Sequence, residues 1–181
     1  MANFREIEFG NGFNFPGWPV DPASMQGQHE IRRLAWCIQE ELCEADEASD
    51  IESHLESRHK LLTHKEMIDA LHFIAELMLT LGYWPEDLPP QPAIFMTEIY
   101  TLPAHLYITM TDLGKTINLC KSKPWKQSLK TFDEDQFKQK LSRFICSFFR
   151  TCYALGLNDE VIEMVYMGKA YENQERIDAG V

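Results

Sequence analysis

The chain has 181 residues, 45% of them hydrophobic and 12% aromatic, enough to bury a sizeable core in one domain or two small halves. Its 28 acidic and 17 basic residues leave a formal net charge of −11, which excludes a nucleic-acid backbone as the expected partner. No stretch approaches the roughly 20 apolar residues that cross a bilayer, and the first residues begin no cationic-then-apolar leader, so a soluble cytoplasmic protein is expected.

Residues 1–27 alternate Gly and Pro with aromatics such as Phe13, Phe15 and Trp18 and read as an irregular arm that packs through those rings. From Gln28 to about Ser49 the apolar residues Ile31, Leu34, Ala35, Ile38, Leu42 and Ala45 recur at helical spacing. After a polar stretch from Asp50 to Leu62, Thr63 is the expected N-cap of a second helix, with Glu66 as its capping-box partner. That helix carries Met67, Leu71, Ile74, Leu77, Met78 and Leu81, and Gly82 stops it. A Pro-rich middle (Pro85, Pro89, Pro90, Pro92) precedes a third helix from about Pro103 to Cys120. A fourth runs from Asp133 to Leu155 and stops at Gly156; a fifth runs from Asn158 to about Asp178. With no period-two segment, the expected fold is all-α, a bundle of about five long helices spanning 28–181.

The five cysteines form no Cys-x-x-Cys pair, and Cys37, Cys43, Cys146 and Cys152 sit among apolar helical residues, where reduced core thiols are expected. His54, His59 and His64 fall in or beside the polar stretch and are expected to be exposed. His72 is expected in the core or behind the site, and Tyr166 and Tyr171 in packing roles.

The halves 28–88 and 103–181 resemble each other. The segment Glu66–Gly82 aligns without gaps on Lys140–Gly156, and Glu41-Leu-Cys-Glu44 lies over Asp112-Leu-Gly-Lys115. The shared Leu-Gly stop favours an internal duplication over chance similarity of two amphipathic helices.

Glu41 with Glu44, and Glu66 with Asp69, are acid pairs three residues apart, each on one helix face. If the two helices pack antiparallel, four carboxylates converge, an oxygen set suited to Mg²⁺ or Mn²⁺. The acid-rich run from Glu40 to Glu47 could equally be a solvated face. Against that, the matching positions of the second half carry Asp112, Lys115, Lys140 and Arg143, three bases in place of acids. In the last helix Lys169, Asn173 and Arg176 form one stripe able to grip a polyphosphate, or an ordinary amphipathic face.

Glu41-x-x-Glu44, then Glu66-x-x-Asp69-x-x-His72-Phe73, then Lys169-x-x-x-Asn173-x-x-Arg176-x-Asp178-x-Gly180 together resemble the dimeric dUTPase family, related to the phage dCTPase/dUTPases and MazG-type pyrophosphohydrolases. The resemblance covers residues 28–181. It implies a homodimer that hydrolyses dUTP to dUMP and pyrophosphate, with a duplicated helical fold and one degenerate half. It implies two or three Mg²⁺ ions held by Glu41, Glu44, Glu66 and Asp69. Lys169, Asn173 and Arg176 would then meet the phosphates, and Phe73 would lie near the nucleoside. Glu41 or Glu44 is the candidate to position or deprotonate the attacking water. The family's Trp-Lys segment is absent from 50–60, and Val181 stands where an aromatic is expected, so dCTP or a broader dNTP range remain alternatives. A non-catalytic helical regulator is the rival from another class.

Overall fold

In a computed structural model, residues 19–53, 61–91, 101–121 and 132–180 are described. They form α1 (Met25–Ser53), α2 (Leu61–Leu81), α3 (Leu102–Ile117), α4 (Glu134–Ala154) and α5 (Asp159–Ala179), with a single 3-10 turn at Pro85–Asp87 and, among the described residues, no strand. The all-α expectation holds. The aromatic arm's Phe13, Phe15 and Trp18, with His54 and His59, lie outside the described residues. No helix among the described residues is long and apolar enough to cross a membrane.

The first helix starts earlier than its apolar pattern suggests because Ser24 caps it: the Gly27 N–H donates to Ser24 Oγ at 2.9 Å. Thr63 is not a cap. It lies inside α2, is fully buried, and donates its hydroxyl to Glu52 Oε2 at 2.6 Å. The same carboxylate accepts the Leu62 N–H at 2.8 Å, so a side chain from the end of α1 satisfies a first-turn donor of α2. Asp133 and Asn158 do cap α4 and α5, accepting the N–H groups of Gln136 and Val161.

Cross-links fix the direction of each neighbour. Glu52 meets Thr63, Arg33 donates to Glu76 at 3.2 Å, and the Val20 N–H reaches the Thr80 carbonyl at 2.9 Å. Partner numbers fall on one helix as they rise on the other, so α1 and α2 form an antiparallel hairpin. Thr109 with Thr151, and Asp112 with Ser147, set α3 against α4 in the same way. Lys65 with Glu172, Asp69 with Lys169, and His72 with Tyr166 lay α5 antiparallel along α2. The two hairpins meet chiefly through α1 and α3, where Arg32 Nη2 donates to the Cys120 carbonyl at 2.7 Å.

One continuous core joins them. Ile31, Leu34, Ile38 and Leu42 from α1 and Met67, Ile68 and Leu77 from α2 are sealed from solvent, as are Phe137, Leu141, Phe144 and Phe148 of α4. All five cysteines are free. Cys120 and Cys152 are buried and Cys37 and Cys146 half-buried, whereas Cys43 is exposed, contrary to its expected core position: it falls beside Glu44 on the outward face of α1.

Both helix stops behave as the Leu-Gly pairs suggest. Gly82 (φ +66°) and Gly156 (φ +85°) adopt left-handed backbone. The residue after each glycine returns its N–H five positions back, Tyr83 to Met78 at 3.0 Å and Leu157 to Cys152 at 2.9 Å. Their surroundings differ. A Cβ at Gly82 would stand 2.8 Å from Pro19 Cβ, while one at Gly156 meets nothing. Gly156→Ala should therefore cost about 1 kcal/mol, the backbone penalty alone, and Gly82→Ala clearly more, because the clash adds to it. Urea denaturation of the two variants measures the difference.

Candidate functional site

The hairpin of α1 and α2 buries one stripe of each helix, and that burial fixes where the acids stand. Glu41 precedes the buried Leu42, and Glu66 and Asp69 flank the buried Met67 and Ile68. With the helices antiparallel, these three carboxylates rise at the edge of the seam on the same level. One oxygen from each of Glu41, Glu66 and Asp69 lies within 4.8 Å of the others, and all three residues are half-buried. Among the described residues this is the group of His, Cys, Asp and Glu side chains close enough to share an ion. Glu44 stands outside the trio on the exposed side of α1, one turn further along.

The electrostatics reflect crowding. Burial, followed by repulsion from Asp69, Glu44 and Glu66, pushes Glu41 up to about 7, and the nearby Lys169 only partly opposes this. Glu66 is raised for the same reasons, burial first and then Asp69 and Glu44. Lys169, from α5, donates to Asp69 Oδ2 at 2.7 Å with both side chains largely shielded. A full set of carboxylate oxygens with too little positive charge is the donor chemistry of a hard divalent cation.

One turn along the same α2–α5 contact, the rings of His72 and Tyr166 stack with centroids 4.0 Å apart and planes within 5°. His72 Nδ1 donates to the Ile68 carbonyl at 2.9 Å; its Nε2 is buried with no hydrogen-bond partner, and burial lowers the imidazole's pKa. Phe73 is half-buried and packs on the core one turn after Asp69. On α5, Asn173 is half-buried and Arg176 exposed, so of the basic stripe only Lys169 touches the acids. Tyr166 packs as expected; Tyr171 does not, being 69% exposed. His64 is also not exposed as expected: its Nε2 lies 3.1 Å from the Leu155 carbonyl.

The matching level of the second hairpin holds a different cluster. Asp112 of α3 is 2% exposed and takes Arg143 Nε (3.2 Å) and Ser147 Oγ (2.8 Å) on one oxygen and Lys115 Nζ (3.3 Å) on the other. Burial alone would raise Asp112, but the hydrogen bonds from Ser147 and Arg143 outweigh it and hold the carboxyl below its usual range. Ser147 is the member that sequence spacing did not reveal; it sits one turn after Arg143, where a small hydroxyl is an unremarkable helix residue.

The two clusters predict opposite pH responses. Glu41 binds its proton more tightly folded than unfolded, so in metal-free protein stability falls as pH rises from about 4.5 through about 7. Partial solvent screening reduces the effect to about 1–2 kcal/mol. Glu41→Gln should flatten that slope in chemical denaturation. Asp112, depressed when folded, contributes stability above its unfolded pKa that is lost on acidification below 3.8; Asp112→Asn should remove that acid-side loss.

No curated protein and no solved structure matched the chain. A family model described as dUTPase matches residues 53–180, which takes in Glu66, Asp69, Lys169, Asn173 and Arg176 and both helix stops. With that match spanning well over half of the sequence, the chain belongs to the dUTPase family.

Proposed function

We propose that the protein is a Mg²⁺-dependent nucleoside triphosphate pyrophosphohydrolase whose first substrate is dUTP, cleaved to dUMP and pyrophosphate. The observation that carries this reading is the convergence of Glu41, Glu66 and Asp69 from two helices of a dUTPase-family chain. The residues fit Mg²⁺ or Mn²⁺: all donors are hard oxygens, and three carboxylates leave room for phosphate oxygens and water in a six-coordinate shell. Glu66, Asp69 and Glu41 would hold the ion or ions, with Glu44 completing the set from its exposed position as phosphates arrive.

When bound, a divalent cation supplies neutralising charge to the triphosphate and makes a water acidic enough to lose its proton near neutral pH. The chain's own groups do the rest. A carboxylate oxygen of Glu41 or Glu44 orients that water and takes its proton as the new O–P bond forms. As the bridging P–O bond breaks, Lys169 and Arg176 stabilise the charge gathering on pyrophosphate, and the Asn173 amide donates a further hydrogen bond. Phe73, one turn from Asp69 on α2, would lie near the nucleoside.

In this reading the second hairpin is a copy of the first in which the ion has been replaced. Asp112 stands for Glu41 and Arg143 for Asp69, so a guanidinium now supplies the positive charge at that level. The assembly is a homodimer by the same family logic, and the protein works in the cytoplasm on free nucleotides.

A panel of dUTP, dCTP, dTTP, dATP and dGTP, each with Mg²⁺ and with EDTA, tests the proposal. Pyrophosphate release should require the metal and be fastest on dUTP; a dCTP preference would move the base assignment without touching the chemistry. Glu41→Gln and Asp69→Asn should each lower kcat by at least about 100-fold with the helical circular dichroism intact. No turnover on any nucleotide would overturn the enzymatic reading and favour a non-catalytic helical regulator.

A further inference from the structure

The Asp69–Lys169 pair lies where the first hairpin's carboxylates converge. Lys169 Nζ is 2.7 Å from Asp69 Oδ2, the side chains being 11% and 16% exposed, and the oxygens of Glu41 and Glu66 lie within 4.8 Å of an Asp69 oxygen. A divalent ion held by those three carboxylates would share its immediate surroundings with an ammonium group, and two cations at such a distance repel strongly. Contacts other than the Lys169–Asp69 pair also hold α5 in place. Ile162 is buried in the core, Val161 and Val165 pack on it, and the His72–Tyr166 stack clamps α5 to α2 one turn away. Lys169 is the next rung after that clamp, and beyond it α5 is mostly exposed. A lysine side chain has the length and rotational freedom to leave Asp69 while its helix stays docked.

We infer that Lys169 is a built-in competitor for the divalent site, offsetting part of the charge of the carboxylate trio in the free protein and leaving it as the ion enters. The charges have two consequences. Metal affinity in the absence of nucleotide is held down, because each ion must displace an internal cation. The displaced ammonium is then available for an anionic triphosphate, so nucleotide and metal favour each other's binding through one side chain. The second hairpin contains the end point of the same substitution, since Arg143 remains on Asp112 and the acids that could call in an ion are gone. The inference rests on the metal-site reading given under Proposed function, and the experiment separates the two.

Mn²⁺ alone, without nucleotide, is titrated calorimetrically into the full-length wild type and into Lys169→Gln, Lys169→Met and Lys169→Arg, each checked for helical content. Removing the charge should tighten Mn²⁺ binding about tenfold in the Gln and Met variants, while Arg, which keeps the charge, should bind no tighter than wild type. If both neutral variants bind Mn²⁺ with wild-type or weaker affinity, Lys169 is not a competitor and this inference fails while the metal site stands. If all three variants tighten alike, charge is not the cause and the inference fails equally. If no protein in the series binds Mn²⁺, the metal-site reading falls and takes the inference with it.

Discussion

The antiparallel seam between α1 and α2 is the constraint on which the rest depends. Its apolar stripes, Ile31, Leu34, Ile38 and Leu42 against Met67, Ile68 and Leu77, are fully removed from water, and a half-turn shift of either helix would expose them. That register leaves no choice about the residues at its edge. Glu41, Glu66 and Asp69 are brought together by burial of their neighbours, although bringing them together costs electrostatic free energy. Packing thus stabilises an arrangement of charge that would disperse by itself, and one lysine from α5 relieves part of it.

The two hairpins meet the same physical problem in two ways. At the Asp112 level the cation is covalently part of the chain: Arg143, Lys115 and Ser147 occupy both carboxylate oxygens, and the proton is held off. At the Glu41 level the acids outnumber the single lysine and a proton is retained until about pH 7. The Asp112 cluster is electrostatically closed, and the Glu41 cluster is left short of positive charge. A closed cluster stabilises the fold; an open one stores unfavourable charge that a ligand can relieve. In the proposed function, this contrast is what sets the metal-binding hairpin apart from the other.

Much of this was legible in the sequence, because the signals are local. Apolar spacing gave the helices, Leu81-Gly82 and Leu155-Gly156 gave their ends, and acid pairs three residues apart pointed to four carboxylates, of which Glu41, Glu66 and Asp69 come together and Glu44 stays outside. The misreadings share a cause. Thr63 has the form of an N-cap, yet its hydroxyl is taken by Glu52, eleven residues away on another helix. Ser24 is a true cap hidden in a loop-like Gly-Pro context. His64 is drawn in by a carbonyl 91 positions on, and Lys169 meets Asp69 across 100 residues. Such pairings depend on how the helices are arranged in space, which local spacing does not encode. Cys43 and Tyr171 show the complementary limit: apolar residue types near a helix seam are not all turned into it.

The central claim is that the carboxylate edge of the first hairpin accepts a divalent ion. Anomalous diffraction from crystals grown with Mn²⁺ tests this most directly. Manganese density should bridge Glu41, Glu66 and Asp69, with Lys169 turned away from Asp69 and no manganese at Asp112. Crystals equilibrated with millimolar Mn²⁺ that show no metal at this edge, with Lys169 still seated on Asp69, would contradict it.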